Sequence, residues 1–464
     1  MMEKQDMKTT RRTFLKFCGA LSSVGFGSVS MSARATVPKS LVASKIQKTF
    51  LADSDLRGGT AWAFNNTIPG PELRFMKNEI LSIDFLNDLE EGSSIHWHGI
   101  RNLFTMDGVS GLTQSAVATG DTFHYEFPLP DAGTYWYHSH TKAWSQVARG
   151  LYGPLIVEDP QDPPVDHDLA LMIDDWRITE DGTIDEASLG SLHDWTHGGR
   201  LGNWLTVNGD SQPVIEVFEK ARIRLRLINA ANARVFGLSA SAPALLIAED
   251  GFPRPHEEVT QVVIAPGQRA DLIVDIGKEP LTLVETRNGA PLTAVTINPS
   301  IAHDKLVPKD SITQATFEQP PGQVDLKIPI RMQGGAMGNL AQAEYKGTRY
   351  SLRDLVLNHK KVWAFNGKIP SLHEPLARVE RGQVVEIEVW NDTRWTHGMH
   401  LHGHHFWVKQ ASGAFSDGKR DTYLFERGER SSLIFVADNP GRWLFHCHTL
   451  EHHAAGMGAT IDIV

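Results

Sequence analysis

The chain is poor in cysteine, in long apolar runs and in positive charge. Two cysteines in 464 residues, Cys18 and Cys447, exclude a disulfide-stapled fold. Past the first few dozen positions there is no apolar stretch of about 18 residues, which excludes a transmembrane helix in the body of the chain. A composition of 41% apolar and 22% charged residues excludes collagen, coiled coil and intrinsic disorder. The first 35 residues hold six Lys/Arg and two Asp/Glu; without them the chain carries 39 positive and 53 negative charges, net −14. That field repels nucleic acid, so a nucleic-acid partner is set aside. Glycine (40) and proline (24) are plentiful and favour short strands and turns over long helices. At about 150 residues per domain the length suggests three domains.

The N-terminus reads as an address. Thr10-Arg11-Arg12-Thr13-Phe14-Leu15-Lys16 precedes a weakly apolar Gly/Ser-rich run that ends in Ala33-Arg34-Ala35. This pattern predicts a twin-arginine signal peptide over residues 1–35, with the export machinery as a partner and no stable membrane anchor. The protein is then expected to be exported, periplasmic or secreted. Cys18 would leave with the signal, and Cys447 would enter an oxidising compartment as a lone thiol: inert, linked to another chain, or a metal ligand.

Three stretches repeat one theme. Trp62-Ala63-Phe64-Asn65-Asn66 leads to Pro69, the strand-like run Ile80–Phe85 and Asn87. Trp204-Leu205-Thr206-Val207-Asn208-Gly209 leads to Pro213, Ile223–Ile228 and Asn229. Val362-Trp363-Ala364-Phe365-Asn366-Gly367 leads to Pro370, Val384–Val389 and Asn391. Each is a short β run, an Asn-containing turn, a proline and an alternating strand. The spacing is domain-sized and predicts tandem copies. The proline-rich segment Glu158–Pro164 and the aperiodic stretch from Asn298 to Asp325 mark the joins. The expected architecture is all-β: three tandem Greek-key β-barrels over 36–160, 161–305 and 306–464.

Histidine is where the chemistry lies. Twenty-one histidines predict roughly one His-x-His pair by chance, yet five occur: 96/98, 138/140, 400/402, 402/404 and 446/448. All fall in the first and third repeats; the second has Ala231-Asn232-Ala233-Arg234 instead. Residues i and i+2 of a strand share a face, so each pair presents two imidazoles to one side. Neutral imidazole suits copper, zinc or iron. In His446-Cys447-His448 the cysteine points opposite to both histidines, so one segment can touch two metal centres. His452, Met457 and the unpaired His397 are companions for the thiolate, and two His, one Cys and a weak axial Met make a blue-copper electron-transfer site. The other eight imidazoles can hold three copper ions as three, three and two. A zinc cluster suits those eight but leaves the Cys/His/His/Met set without purpose.

These motifs, together with Gly133-Thr134-Tyr135-Trp136-Tyr137-His138 and Asn439-Pro440-Gly441-Arg442-Trp443-Leu444-Phe445-His446-Cys447-His448, resemble the multicopper oxidases, specifically three-domain bacterial laccase-like members. The resemblance spans nearly the whole mature chain and implies cupredoxin-like domains, the second without copper ligands, and four copper ions. By position, it makes His397, Cys447, His452 and Met457 the type 1 ligands and His96 and His400 the type 2 pair. His98, His138 and His448 would hold one type 3 copper, and His140, His402 and His446 the other. It further implies one-electron oxidation of a phenolic or similar small-molecule reductant at type 1, with electrons passing through Cys447 to a trinuclear cluster between domains 1 and 3, where dioxygen becomes water. Asp107 in Met106-Asp107-Gly108-Val109 matches the family's acidic residue near that cluster, a proton source for oxygen reduction. Axial Met457 implies a type 1 potential in the lower part of the family range.

The chain departs from the pattern twice. Some copper-resistance relatives carry a glutamate just after the type 1 histidine, where this chain has His453. They also carry a methionine-rich insert, of which Met332 and Met337 are the nearest trace. His404, His405 and His453 are expected to be supporting or structural. The alternatives to a laccase-type oxidase are an oxidase of Cu(I) or Mn(II) serving copper tolerance, and a copper-free scaffold of the cell envelope.

Overall fold

The computed structural model describes residues 37–50, 58–310, 312–314 and 316–464. The segment read as a twin-arginine signal, with Cys18, lies outside the described residues. Strands dominate, and their hydrogen-bonded partners fall in three successive stretches of chain. Between Ser40 and Glu158 two four-stranded sheets form, one ordered Gly59–Phe64, Ser40–Lys48, Ile80–Asn87, Thr122–Pro128, the other Leu73–Met76, Tyr152–Glu158, Gly133–Ser139, Ile95–His98. Nine strands between His167 and Ile301 make one curled sheet. From Leu326 to Ile463 come two five-stranded sheets and a two-stranded ribbon. No strand or helix is present among the described residues from 302 to 325. The fold is mostly β and cupredoxin-like.

The inner faces follow the two-residue period of a half-buried strand. In Ile80–Asn87, Leu81, Ile83, Phe85 and Asn87 are buried while Ile80, Ser82 and Asp84 are exposed. Each stretch thereby closes over its own apolar core, around Trp97 and Phe127 in the first, Leu225 and Phe236 in the second, Phe406 and Phe435 in the third.

The repeated asparagines do the same work three times. Asn65, Asn208 and Asn366 all adopt φ near +50° (52°, 52° and 51°), a left-handed conformation asparagine tolerates. Each clamps a neighbouring strand through its side chain: Oδ1 accepts from the N–H of Val42, Met172 or Arg331, and Nδ2 donates to the carbonyl of Ser40, Ala170 or Pro329, all within 3.0 Å. The second set, Asn87, Asn229 and Asn391, is wholly buried. Each donates from Nδ2 to carbonyls of two separate segments, as Asn229 does to Arg234 and Ile264 at 2.8 and 2.9 Å. Three copies of one hydrogen-bonding device thus explain the sequence repeat.

One strand departs from its pattern. Arg222-Ile223-Arg224-Leu225-Arg226-Leu227 alternates as if one face met water, yet all of Arg222–Asn229 is buried. The arginines face carboxylates: Arg222 meets Asp275, Arg224 meets Asp271, and Arg226 meets Asp168 and Asp271. Thr134 of the first stretch covers them, donating to Asp271 Oδ1 at 2.7 Å. Buried charges are tolerable only when paired this way.

Candidate metal centres

Two strand pairs carry the histidines. Ile95–His98 runs antiparallel to Gly133–Ser139 with His96 opposite His138. His397–Leu401 runs antiparallel to Gly441–Cys447 with Met399 opposite Cys447 and His400 opposite His446. Strand Gly441–Cys447 has a different centre on each side.

On one side lies Cys447. Its Sγ is 3.6 Å from His397 Nδ1 and 3.8 Å from His452 Nδ1, and the two nitrogens are 3.1 Å apart. All three residues are fully buried. His452 comes from the short helix Leu450–Ala454. Buried Met457 follows that helix, and its carbonyl accepts from the Cys447 N–H at 3.0 Å. Trp363 packs on both imidazoles, with ring centres 5.0 and 4.3 Å away.

On the other side eight imidazoles meet, none more than 6% exposed. His96 stacks on His402 at 4.0 Å and His98 on His400 at 3.8 Å. His448 lies 4.8 Å from His98 and 5.4 Å from His138, ring to ring. His402 Nε2 is 3.0 Å from His446 Nε2, and the His140 ring is 5.2 and 5.5 Å from those two. Triads of imidazoles whose donor atoms all lie within 4.8 Å of one another are His96/His400/His402, His96/His98/His138 and His140/His446/His453. His96 is shared between two of them and His448 is in none, so the triads do not coincide with the type 2 and type 3 sets implied by sequence position. All eight nevertheless surround one region.

Neighbouring side chains and carbonyls orient these rings. Nδ1 of His96, His138, His400 and His446 donates to the carbonyl of Asp107, Ser139, Asp421 and Cys447 respectively, at 2.8–2.9 Å. His402 Nδ1 donates to Asp107 Oδ2 at 2.7 Å. A ring that gives its Nδ1 proton away leaves a lone pair on Nε2, as a metal ligand must. His98 is reversed, with Nε2 on Asp421 Oδ1 at 3.1 Å. The nitrogens left over, Nε2 of His96, His138, His140 and His400, Nδ1 of His98 and both of His448, are buried without a hydrogen-bond partner. Seven orphaned ring nitrogens around one region cost too much to be accidental. They fit metal ions.

Electrostatics agree. Burial, reinforced by adjacent imidazoles, pushes His98, His138, His140, His402, His446 and His448 well below the ordinary histidine value, so the rings are neutral donors. Burial lowers His452 to about 4 and raises the Cys447 thiol to about 12. A thiolate is therefore stable in that site only beside a cation.

The middle stretch supplies no ring to either centre, but it holds both. Fully buried Arg269 donates to Asp421 Oδ1 and Oδ2 at 2.8 and 2.6 Å and to the Thr134 carbonyl at 2.9 Å. Burial alone would raise Asp421; Arg269 and His98 overcome it and hold the carboxyl well below its usual range. Gly267, at φ +86°, lies under the rings, where an added Cβ would meet His98 Cε1 at 2.9 Å and His448 Cδ2 at 3.0 Å. The His197 carbonyl accepts from His452 Nε2 at 2.6 Å. Asn232 and the Arg200 N–H hold Glu451, next to His452. None of these holders was visible in the sequence, because no spacing rule links residues more than 100 positions apart. His453 was visible only as an extra histidine; its ring packs 4.3 Å from His446 and 5.6 Å from His140. His404 accepts from the Asn439 N–H, and His405 donates to the Gly99 carbonyl. Met332 is buried in the core of the third stretch, while Met337 is exposed.

Family models described as multicopper oxidase match residues 46–162 and 347–463. The chain is 28% identical to the multicopper oxidase MmcO of Mycobacterium tuberculosis, over 86% of its own length and 82% of that protein's. It is 27% identical to Laccase-1 of Botryotinia fuckeliana, over 93% and 83%. Among solved structures, Lac15 from a marine microbial metagenome is 37% identical with a TM-score of 0.69, covering 92% of this chain and all of that one. The chain belongs to the multicopper oxidases, as a laccase-like member and a copper-dependent oxidoreductase that uses dioxygen.

Proposed function

We propose that this protein is a laccase-type oxidase of phenols or similar aromatic reductants. Four phenols each lose one electron and one proton while one dioxygen and four protons become two waters. His397, Cys447, His452 and Met457 would hold a type 1 copper, and His96 and His400 a type 2 copper. The type 3 pair would use His98, His138 and His448 on one ion and His140, His402 and His446 on the other. When bound, these ions would take single electrons from the reductant and deliver four to dioxygen. The observation that carries the reading is the segment His446-Cys447-His448, whose thiol meets two imidazoles on one side while its own histidines join six more on the other.

The chain's own residues then do three things. Burial keeps the rings neutral and excludes bulk water. Asp107 fixes His402 through Oδ2 and His96 through its backbone carbonyl, and its carboxyl would pass protons to the oxygen being reduced. Arg269 and Asp421 keep His98 and His400 stacked.

Oxygen uptake by the copper-loaded protein tests the reading. Four moles of phenol consumed per mole of dioxygen, with water as product, is expected; hydrogen peroxide at a two-to-one ratio would refute it. A second reading, oxidation of Cu(I) or Mn(II), draws on one observation. His193 and His197 stack at 4.0 Å, and the His197 carbonyl touches His452 while exposed Met337 lies in the loop whose Ala336 N–H donates to the Thr196 carbonyl. Turnover of metal ions but not phenols would favour it. A copper-free scaffold has no use for so complete a donor set. For location, export by the twin-arginine route is the reading of residues 1–35, and N-terminal sequencing of the exported protein tests it.

A further inference from the structure

A small polar cavity of about 260 Å³ opens beside the cysteine centre, at the low end of ligand-pocket sizes and suited to a single ring. Thr393 lines it and is the link to the centre: its side chain is buried, and its hydroxyl lies 2.9 Å from His397 Nε2. Only one side chain therefore separates the cavity from an imidazole that faces Cys447. The other walls include Asn339, Arg394 and Arg427, all exposed. Neither arginine has an ion pair or hydrogen bond among the described residues. The one carboxylate in the lining, Asp392, is already taken by Arg331 Nε at 2.8 Å. Most other arginines that flank the core of this acidic chain are paired with Asp or Glu, so two free guanidiniums at one cavity make a local positive field against a net negative background.

A guanidinium presents a planar fork of donors that matches a carboxylate, and it repels metal cations. We infer that this cavity binds the carboxylate of an aromatic acid, which makes phenolic acids the preferred reductants of this oxidase. The inference rests on the reading above that His397 belongs to the reductant-oxidising centre. Arg394 and Arg427 engage the carboxylate, and Thr393 marks the side from which the electron leaves for His397. The phenolic proton goes to solvent, and the electron acceptor is the dioxygen the enzyme already uses.

Binding is measured first without turnover, by calorimetry of benzoate and its neutral counterpart benzamide with the copper-loaded full chain. Benzoate is expected to bind about tenfold tighter, the scale of two partly exposed charge pairs. Arg394→Gln/Arg427→Gln should erase that margin, and Arg353→Gln, an exposed arginine outside the cavity, should leave it. Turnover then compares syringate with methyl syringate, which share a ring and differ in charge. The double substitution should raise the acid-to-ester ratio of KM about tenfold, and about 0.5 M salt should erode the wild-type preference in the same direction. Equal benzoate affinity in wild type and double variant, or a KM that rises equally for acid and ester, would overturn the inference. If wild type oxidises neither syringyl compound, the oxidase reading fails, and the calorimetry still decides whether the cavity takes carboxylates.

Discussion

The middle stretch and its two neighbours share a framework and divide the labour. Asn229 is clamped as Asn87 and Asn391 are, yet where the others go on to paired histidines this stretch has Ala231-Asn232-Ala233. It bears no ligand. What it contributes is restraint: Arg269 on Asp421, Gly267 beneath His98 and His448, and the His197 carbonyl on His452. The comparison teaches that a metal centre needs two kinds of residue, those that offer a lone pair and those that make it point the right way.

The sharpest way to break this division is to damage the holder and read the ligands. Arg269→Met leaves Asp421 and Asp250 buried without their cation. It should cost about 3–5 kcal/mol of stability and lower copper occupancy, as read by denaturant unfolding and metal analysis. Unchanged occupancy would make the middle stretch a mere spacer. Asp107→Asn attacks the ligand-bearing side. It keeps an acceptor for His402 but loses the carboxylate, and should slow dioxygen reduction about 100-fold while the blue colour persists. Stopped-flow reoxidation of the reduced enzyme measures this, and an unchanged rate would remove the role of Asp107. Gly267→Ala tests fine placement, since a single methyl must displace an imidazole from a left-handed position. A loss of about tenfold in oxygen reduction is expected, again with the blue colour intact.

A further test, remote from the histidines, concerns pH. Burial and the adjacent Asp175 push Asp174, which accepts from the Tyr152 hydroxyl at 2.7 Å, up to about 7 from an ordinary value of 3.8. The folded protein therefore favours the protonated acid. This group costs nothing below about pH 4, destabilises progressively as pH rises toward 7, and levels off above that. Asp174→Asn should gain about 4 kcal/mol relative to wild type between pH 4 and pH 8. Melting both proteins across that range checks it, and a constant difference would contradict the assignment.

Much of this was legible because the candidate ligands obey local rules. The i+2 pairing of His96/His98 and of His446/His448 states a strand face directly, and the recurrence of Asn65, Asn208 and Asn366 states a repeated turn. The holders obey no such rule. Arg269 and Asp421 are 152 positions apart, and their pairing exists only once the strands are stacked. The burial of Arg222, Arg224 and Arg226 is hidden for the same reason: alternation marks a polar face, and only tertiary structure reveals that acidic side chains and Thr134, not water, cover it. The cavity beside Thr393 is built from three loops, which carry no periodicity to read.

The most direct measurement is a copper count with visible and EPR spectra on the reconstituted full chain beside Cys447→Ser. Two centres joined by one tripeptide predict about four coppers per chain and an intense blue colour in wild type. The variant should keep about three, colourless, with the histidine-bound EPR signal retained. A colourless wild type without stoichiometric copper, or a Cys447→Ser protein that loses all of its copper, would contradict the account.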